Sequence, residues 1–132
     1  MSTFQNVAEA RAYFAGDRFA ANNGMVIDEL GEDWCVCSMV ITQDHKNANN
    51  AVMGGAIFTL GDFAFAVASN QMHNVTVAQQ VSINFLSGTR GTRLIARAKC
   101  KKDGKTSCVY NVDITDDLGR EIAQFVGTGY KL

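Results

Sequence analysis

Asp62 is the only ionisable residue in the stretch Gly54–Met72, which is otherwise apolar or small apart from a few neutral polar residues. A carboxylate set among apolar neighbours with no cation beside it loses solvation and its pKa rises. Such groups are kept where they are paired, hydrogen-bonded or used as a base or nucleophile. The plainer alternative is a carboxylate that reaches solvent or a lysine elsewhere in the fold. Gly54 and Gly55 open the same stretch. A helix starting on two glycines offers unpaired N–H groups at the positive end of its dipole, unobstructed by side chains, which suits an anion or a polarised carbonyl oxygen. As plain capping or packing glycines they would need no ligand. Gly54 and Asp62 are eight positions apart, so one helix holds them ~12 Å from each other. A reacting carbonyl must lie about 3 Å from both its oxyanion donor and its attacking group. If the two features cooperate, Gly54 of one chain meets Asp62 of another, and the protein is at least a homodimer.

These residues need a helix and a sheet to position them. The apolar residues of 54–72 fall on every side of a 3.6-residue wheel, the mark of a helix wrapped by the rest of the fold or of a membrane span. Nineteen residues would reach ~28 Å, but Gly61, Asp62, Ser69, Asn70 and Gln71 interrupt the run, which favours a central helix over a span. Ahead of it, Asn6 followed by Glu9 has the form of a capping box, and Val7, Ala8, Ala12 and Phe14 give a short amphipathic helix ending near Gly16. Residues 25–42 read as a hairpin turning at Gly31, and residues 43–50 as a polar loop. After the helix, strands are expected over 75–86, 94–101, 107–115 and 122–130. Turns fall at Ser87-Gly88, at Asp103-Gly104 in the manner of a two-residue hairpin, and at Asp116, Asp117 and Gly119. Trp34 and Phe85 read as core residues. Hairpin-linked strands with one face on a single apolar helix make an α+β layer arrangement, and the absence of linkers or repeats gives one domain over 1–132.

Composition excludes several classes. The 132 residues carry 12 Lys and Arg against 13 Asp and Glu, a net charge of −1, which argues against a nucleic-acid partner and against a polybasic membrane anchor. The start of the chain lacks a signal-peptide apolar block and no run is long enough for a membrane helix, so a cytoplasmic location is expected. Cys35 and Cys37 share one face of a strand, and Cys100 and Cys108 could meet only in one hairpin register. Four reduced structural thiols and no metal site are the reading, since only His45 and His73 are at hand as companions. His45 reads as a solvated loop residue, with a substrate contact as the alternative, and His73 as a partner for the C-terminal end of the helix dipole. Arg90, Arg93, Lys101, Lys102 and Lys105 supply positive charge near strand ends, where edge protection explains them as well as phosphate binding does.

The stretch DHKNANNAVMGGAIFTLGDFAFAVA at 44–68 resembles the signature of the PaaI-like acyl-CoA thioesterases of the hotdog superfamily. INFLSG at 83–88, KKDGKTSCVYNVDIT at 101–115 and QFVGTGYKL at 124–132 agree more softly. The resemblance implies an antiparallel sheet wrapped around a long central helix, dimers with two active sites at the subunit interface, dimers often paired into tetramers, and an acyl-CoA substrate. It assigns Asp62 as catalytic carboxylate, Gly54 as the N–H donor to the thioester carbonyl and Asn47 as the loop asparagine that holds substrate or water. Met53, Gly55, Thr76 and His45 are expected at the substrate. Met53 departs from the family's usual His, and the Ser or Thr that members often carry after the helix corresponds most closely to Ala78, with Thr76 and Gln80 two residues away on the same side of the strand. No metal or organic cofactor is required. An acyl-CoA binding or sensing module is the alternative. A hydratase is disfavoured because the central helix has no His.

Overall fold

The computed structural model describes residues 2–132. Six strands form one antiparallel sheet: β1 (Met25–Leu30), β2 (Trp34–Val40), β3 (Thr76–Phe85), β4 (Arg93–Asp103), β5 (Ser107–Asp116) and β6 (Glu121–Lys131). They are ordered β1-β2-β4-β5-β6-β3, so β1 and β3 are the two edges. Three helices accompany the sheet: α1 (Val7–Phe14), α2 (Arg18–Asn22) and α3 (Gly54–Met72). α3 lies against β1 to β6. This is the α+β layer arrangement expected from the apolar helix and the alternating strands, and the hotdog fold that the family resemblance implies.

The inward face of the sheet follows the pleat. In β5, Cys108, Tyr110, Val112 and Ile114 are buried against α3, whereas Asn111 and Asp113 face out. Close approach of helix to sheet is set at Gly61, where a Cβ would come within 2.8 Å of Phe125 Cδ2. Gly127 allows the same intimacy with the Phe65 ring, also at 2.8 Å. Larger residues there would push the helix off the sheet.

α3 begins and ends where its sequence changes character. Met53, extended at φ −64° and ψ 138°, is the N-cap and makes no side-chain capping bond. At the far end Asn70 and Gln71 are buried, yet each is satisfied. Asn70 Oδ1 accepts from Thr76 N (2.9 Å) and its amide donates to the Ala66 and Thr76 carbonyls, while Gln71 exchanges two bonds with the Phe4 backbone. Those polar residues fasten the N-terminal segment and the start of β3 to the helix. His73 is the C-cap, and its Nε2 donates to the Leu132 carbonyl at 3.0 Å. At the other helix start, Asn6 Oδ1 accepts from Glu9 N (2.9 Å), and the Glu9 carboxylate reaches back to Gln5 N rather than to Asn6.

Several expectations are corrected. Trp34 and Phe85 are not core. Trp34 lies at a strand end with its indole across Gly31, and Phe85 is 54% exposed. The 103–104 turn is longer than two residues, since β4 ends at Asp103 and β5 resumes at Ser107. α2, a five-residue helix, and a 3-10 turn over Gln43–His45 stand where no helix was expected. A bulge between Ala78 and Gln80 in β3 places Ala78 opposite Gly129 and Gln80 opposite Thr128. Ala78 and Gln80 therefore face opposite sides of the sheet, not the same one. The cysteines are free. Cys100 pairs in register with Tyr110 and Cys108 with Asp103, so the one register that would have joined them is not adopted.

Candidate active site

Gly54 and Gly55 form the first turn of α3. The Ala56 and Ile57 N–H groups donate back to the Met53 carbonyl at 3.0 and 3.3 Å, but those of Gly54 and Gly55 have no acceptor among the described residues. Two donors are thus left at the positive end of a nineteen-residue helix dipole. The ring of Phe85, from the end of β3, covers one side of them: a Cβ on Gly54 would lie 3.2 Å from Phe85 Cζ. Met53, 54% exposed, stands beside them.

The loop ahead of the helix is shaped by Asn47. Its Oδ1 accepts from Asn49 N (2.9 Å) and Ala51 N (3.2 Å), and its own N–H donates to the Ala51 carbonyl. Asn50 takes a left-handed conformation at φ 61°, which asparagine tolerates. The Asn47 side chain therefore closes the 47–51 turn of the loop with its oxygen and keeps its amide N–H groups for another acceptor. His45 is buried, which corrects the expectation of a solvated loop histidine. Nδ1 accepts from Thr42 N (3.0 Å) and Nε2 faces the Asn23 carbonyl (3.0 Å), so Nε2 carries the proton. The His45 carbonyl in turn accepts from Met53 N at 2.8 Å. Both ring nitrogens are occupied in supporting the loop.

Asp62 lies two turns further along α3, half-buried. Burial pushes its pKa up, and the carboxylate of Asp17, at the N-terminus of α2, pushes it further in the same direction. Asp17 occupies the N-cap position of α2 but makes no side-chain capping bond. It faces the same cavity as Asp62, together with Arg18. No sequence signal linked Asp17 to Asp62, because the contact is made by the fold. Thr76 is elsewhere: it lies beyond the C-terminal end of α3, buried, with its hydroxyl donating to the His73 carbonyl. Of the expected site residues, the fold gathers Asn47, Met53, Gly54 and Gly55 at one end of the helix. Asp62 stands apart, and Thr76 lies at the opposite end. Phe85 and Asp17 join the surroundings without having been expected there. Among the described residues no cluster of His, Cys, Asp and Glu has the makings of a metal site. Arg93, one of the basic candidates, is engaged with Asp28 (3.2 Å) and Ser38 (2.6 Å). None of the described helices is long and apolar enough to cross a membrane.

A family model described as thioesterase superfamily matches residues 49–123, which include Gly54, Asp62 and Phe85. The chain belongs to that superfamily. It is 32% identical over 93% of its length to the acyl-coenzyme A thioesterase PaaI of Escherichia coli K12, covering 89% of that protein. The structure of E. coli PaaI superposes with a TM-score of 0.88 at 30% identity, covering 93% of this chain and 90% of that one. A Streptococcus pneumoniae protein described as a hypothetical thioesterase, solved with coenzyme A, gives a TM-score of 0.82 at 25% identity, covering 89% of this chain and 94% of that one. The chain is thus a hotdog-fold enzyme of the thioester hydrolase class, PaaI-like in sequence and fold.

Proposed function

We propose that the chain hydrolyses an acyl-CoA thioester to free CoA and a carboxylic acid, at a site shared between two subunits. The observation that carries the reading is the pair of free N–H groups at Gly54 and Gly55 on the same helix as a desolvated Asp62. The Gly54 N–H, aided by the helix dipole, polarises the thioester carbonyl as charge develops on oxygen. Asp62 deprotonates a water that attacks the carbonyl carbon, or attacks that carbon itself to give a mixed anhydride that water then opens; in either route the CoA thiolate leaves. Asn47, with a free amide, orients substrate or water. Met53 and Gly55 border the thioester at the helix start, whereas His45 and Thr76 act through the backbone they hold. The reaction needs no metal or organic cofactor.

Two subunits are required because α3 keeps Gly54 and Asp62 of one chain ~12 Å apart. The free edge of β3 supports such pairing. It is a ten-residue strand bonded on one side only, with Val77 and Phe85 exposed near its ends and Val75 and Leu86 exposed just beyond them, and Met53 exposed near its Phe85 end. An unpaired edge of that length, with exposed apolar residues at both ends, invites a second copy. Dimers paired into tetramers, and a cytoplasmic setting for the free thiols, complete the reading.

The test is release of free thiol from a panel of acyl-CoA substrates by the wild type and by Asp62→Ala. Turnover by the wild type and its loss by roughly 10²–10⁴-fold in the variant are expected. Equal turnover in both would remove Asp62 from the mechanism. Tight acyl-CoA binding without turnover in the wild type would instead favour the binding module, the reading that Met53 in place of the family's usual His would suit.

A further inference from the structure

The face of α3 that carries Asp62 also carries Thr59, Phe63 and Ala66, spaced i, i+3, i+4 and i+7 so that they line one stripe. That stripe looks across at Asp17 to Ala20 of the α2 segment, and the two line an open cavity of about 370 Å³. A second cavity, of about 240 Å³, lies between α1, the end of α2 and β1, bounded by Phe14, Ala21, Met25 and Ile27. Phe63 is the one residue that lines both. Its ring is buried and held edge-on by Phe14, with centroids 6.0 Å apart and planes at 84°. The two chambers differ in chemistry. The first has Asp17, Arg18, Thr59 and Asp62 in its walls. The second is apolar except for Arg11, whose Nε donates to the Ile27 carbonyl at 2.9 Å.

We propose that Phe63 sets the acyl length this enzyme accepts: its ring closes the chamber beside Asp62, so short or compact acyl groups fit, and it shuts off an apolar chamber that a longer chain would otherwise enter. The proposal rests on the acyl-CoA reading above. If the thioester carbonyl is attacked at Asp62, the acyl group starts from that residue. Its outlet along the stripe then runs into the next side chain of the helix, Phe63. An aromatic ring locked by a neighbour at right angles does not swing aside without breaking that packing. Beyond it the lining is what an alkyl chain would seek, and the α2 segment forms a wall common to both chambers.

The experiment measures kcat/KM for CoA release from butanoyl-, hexanoyl-, decanoyl- and phenylacetyl-CoA by the wild type, Phe63→Ala and Phe63→Leu. In Phe63→Ala the decanoyl-to-butanoyl ratio should rise by about tenfold or more, the scale on which apolar pockets discriminate by size. Phe63→Leu, which keeps most of the core volume if the alanine variant does not fold, should show a smaller rise of the same sign. Adding Ala21→Leu to Phe63→Ala fills the second chamber and should cancel the gain. A ratio unmoved in a folded Phe63 variant, or a gain that survives Ala21→Leu, overturns the proposal while leaving the thioesterase reading standing. Absence of CoA release by the wild type from every substrate overturns both.

Discussion

The ring of Phe85 lies over Gly54, close enough that a methyl group on Gly54 would come 3.2 Å from its Cζ. An exposed aromatic at the end of an edge strand therefore packs beside the glycine whose N–H is proposed to polarise the thioester carbonyl. Gly54→Ala keeps the donor and crowds a half-exposed ring that has room to yield, so it should lower kcat modestly, by about tenfold or less. Gly54→Pro removes the donor altogether. It should not break the helix, because proline is accepted at the first helical position and Met53, at φ −64° and ψ 138°, already has the backbone that a residue before proline requires. Loss of one oxyanion donor should reduce kcat by roughly 10²–10³-fold with the helix content by circular dichroism unchanged. A Gly54→Pro variant as active as Gly54→Ala would deny the donor its role.

Asp17 and Asp62 face one cavity, and Arg18 is the other charged group there. Burial raises the Asp62 pKa, and the Asp17 charge adds to the rise. A base must be ionised to act, so kcat/KM should fall as pH drops through that raised value. Asp17→Asn removes the second contribution and leaves burial in place. The acid limb of kcat/KM should therefore move to lower pH without reaching the range of an unperturbed aspartate. Asp17→Glu should restore part of the shift. A limb that does not move in Asp17→Asn, whatever the loss in rate, would show that the two carboxylates are uncoupled.

Asp116 is buried at the end of β5, and its carboxylate accepts from Arg90, Gly91, Leu118 and Arg120 N–H and from the Thr89 hydroxyl, at 2.9 to 3.2 Å. Burial opposes its charge, but these bonds outweigh it and hold its pKa down to about 2 from an ordinary 3.8. The sign follows from linkage. A depressed carboxylate stabilises the fold fully above the unfolded value, and that contribution is lost as pH falls from about 4 towards about 2. Thermal melts should show a Tm that declines over this window. In Asp116→Asn the Tm at pH 7 should be lower by roughly 5 °C or more and its slope over the window shallower. An Asn variant with the wild-type acid profile would remove Asp116 as the source.

Gly61→Ala sets two effects against each other. Alanine gains about 1 kcal/mol of helix propensity over glycine. Its Cβ would sit 2.8 Å from Phe125 Cδ2 and 3.2 Å from Ile114 Cδ1, both in fully enclosed side chains. Overpacking of a closed core costs about 1–3 kcal/mol, so the urea midpoint should fall. A rise would mean that α3 can lift from the sheet at little expense.

What could be read from the sequence was what local chemistry determines. The bounds of α3 follow from Gly54-Gly55 and from the last apolar residue, and the inward set of β5 follows from strict alternation. What escaped depended on distant parts of the chain. α2 is too short to show a period, and helices of that length form only on tertiary support. The bulge that turns Gln80 away from Ala78 leaves no mark in an alternating sequence. Phe85 and Trp34 are apolar, which marks them for contact, but the contact of Phe85 is with a helix end and not with the core. Asp17 reaches the neighbourhood of Asp62 only because the α1–α2 turn crosses the face of α3.

The central claim is that Gly54 and Asp62 act from different chains, and mixing two inactive variants tests it most directly. Gly54→Pro and Asp62→Asn are each purified, combined in equal amounts, unfolded together and refolded, and CoA release is measured. In a mixed dimer one of the two shared sites takes an intact Gly54 from one subunit and an intact Asp62 from the other. Random pairing should therefore recover about a quarter of wild-type activity from two preparations that have almost none. No recovery, from dimers shown to have exchanged subunits, would contradict the pairing of Gly54 from one chain with Asp62 from the other.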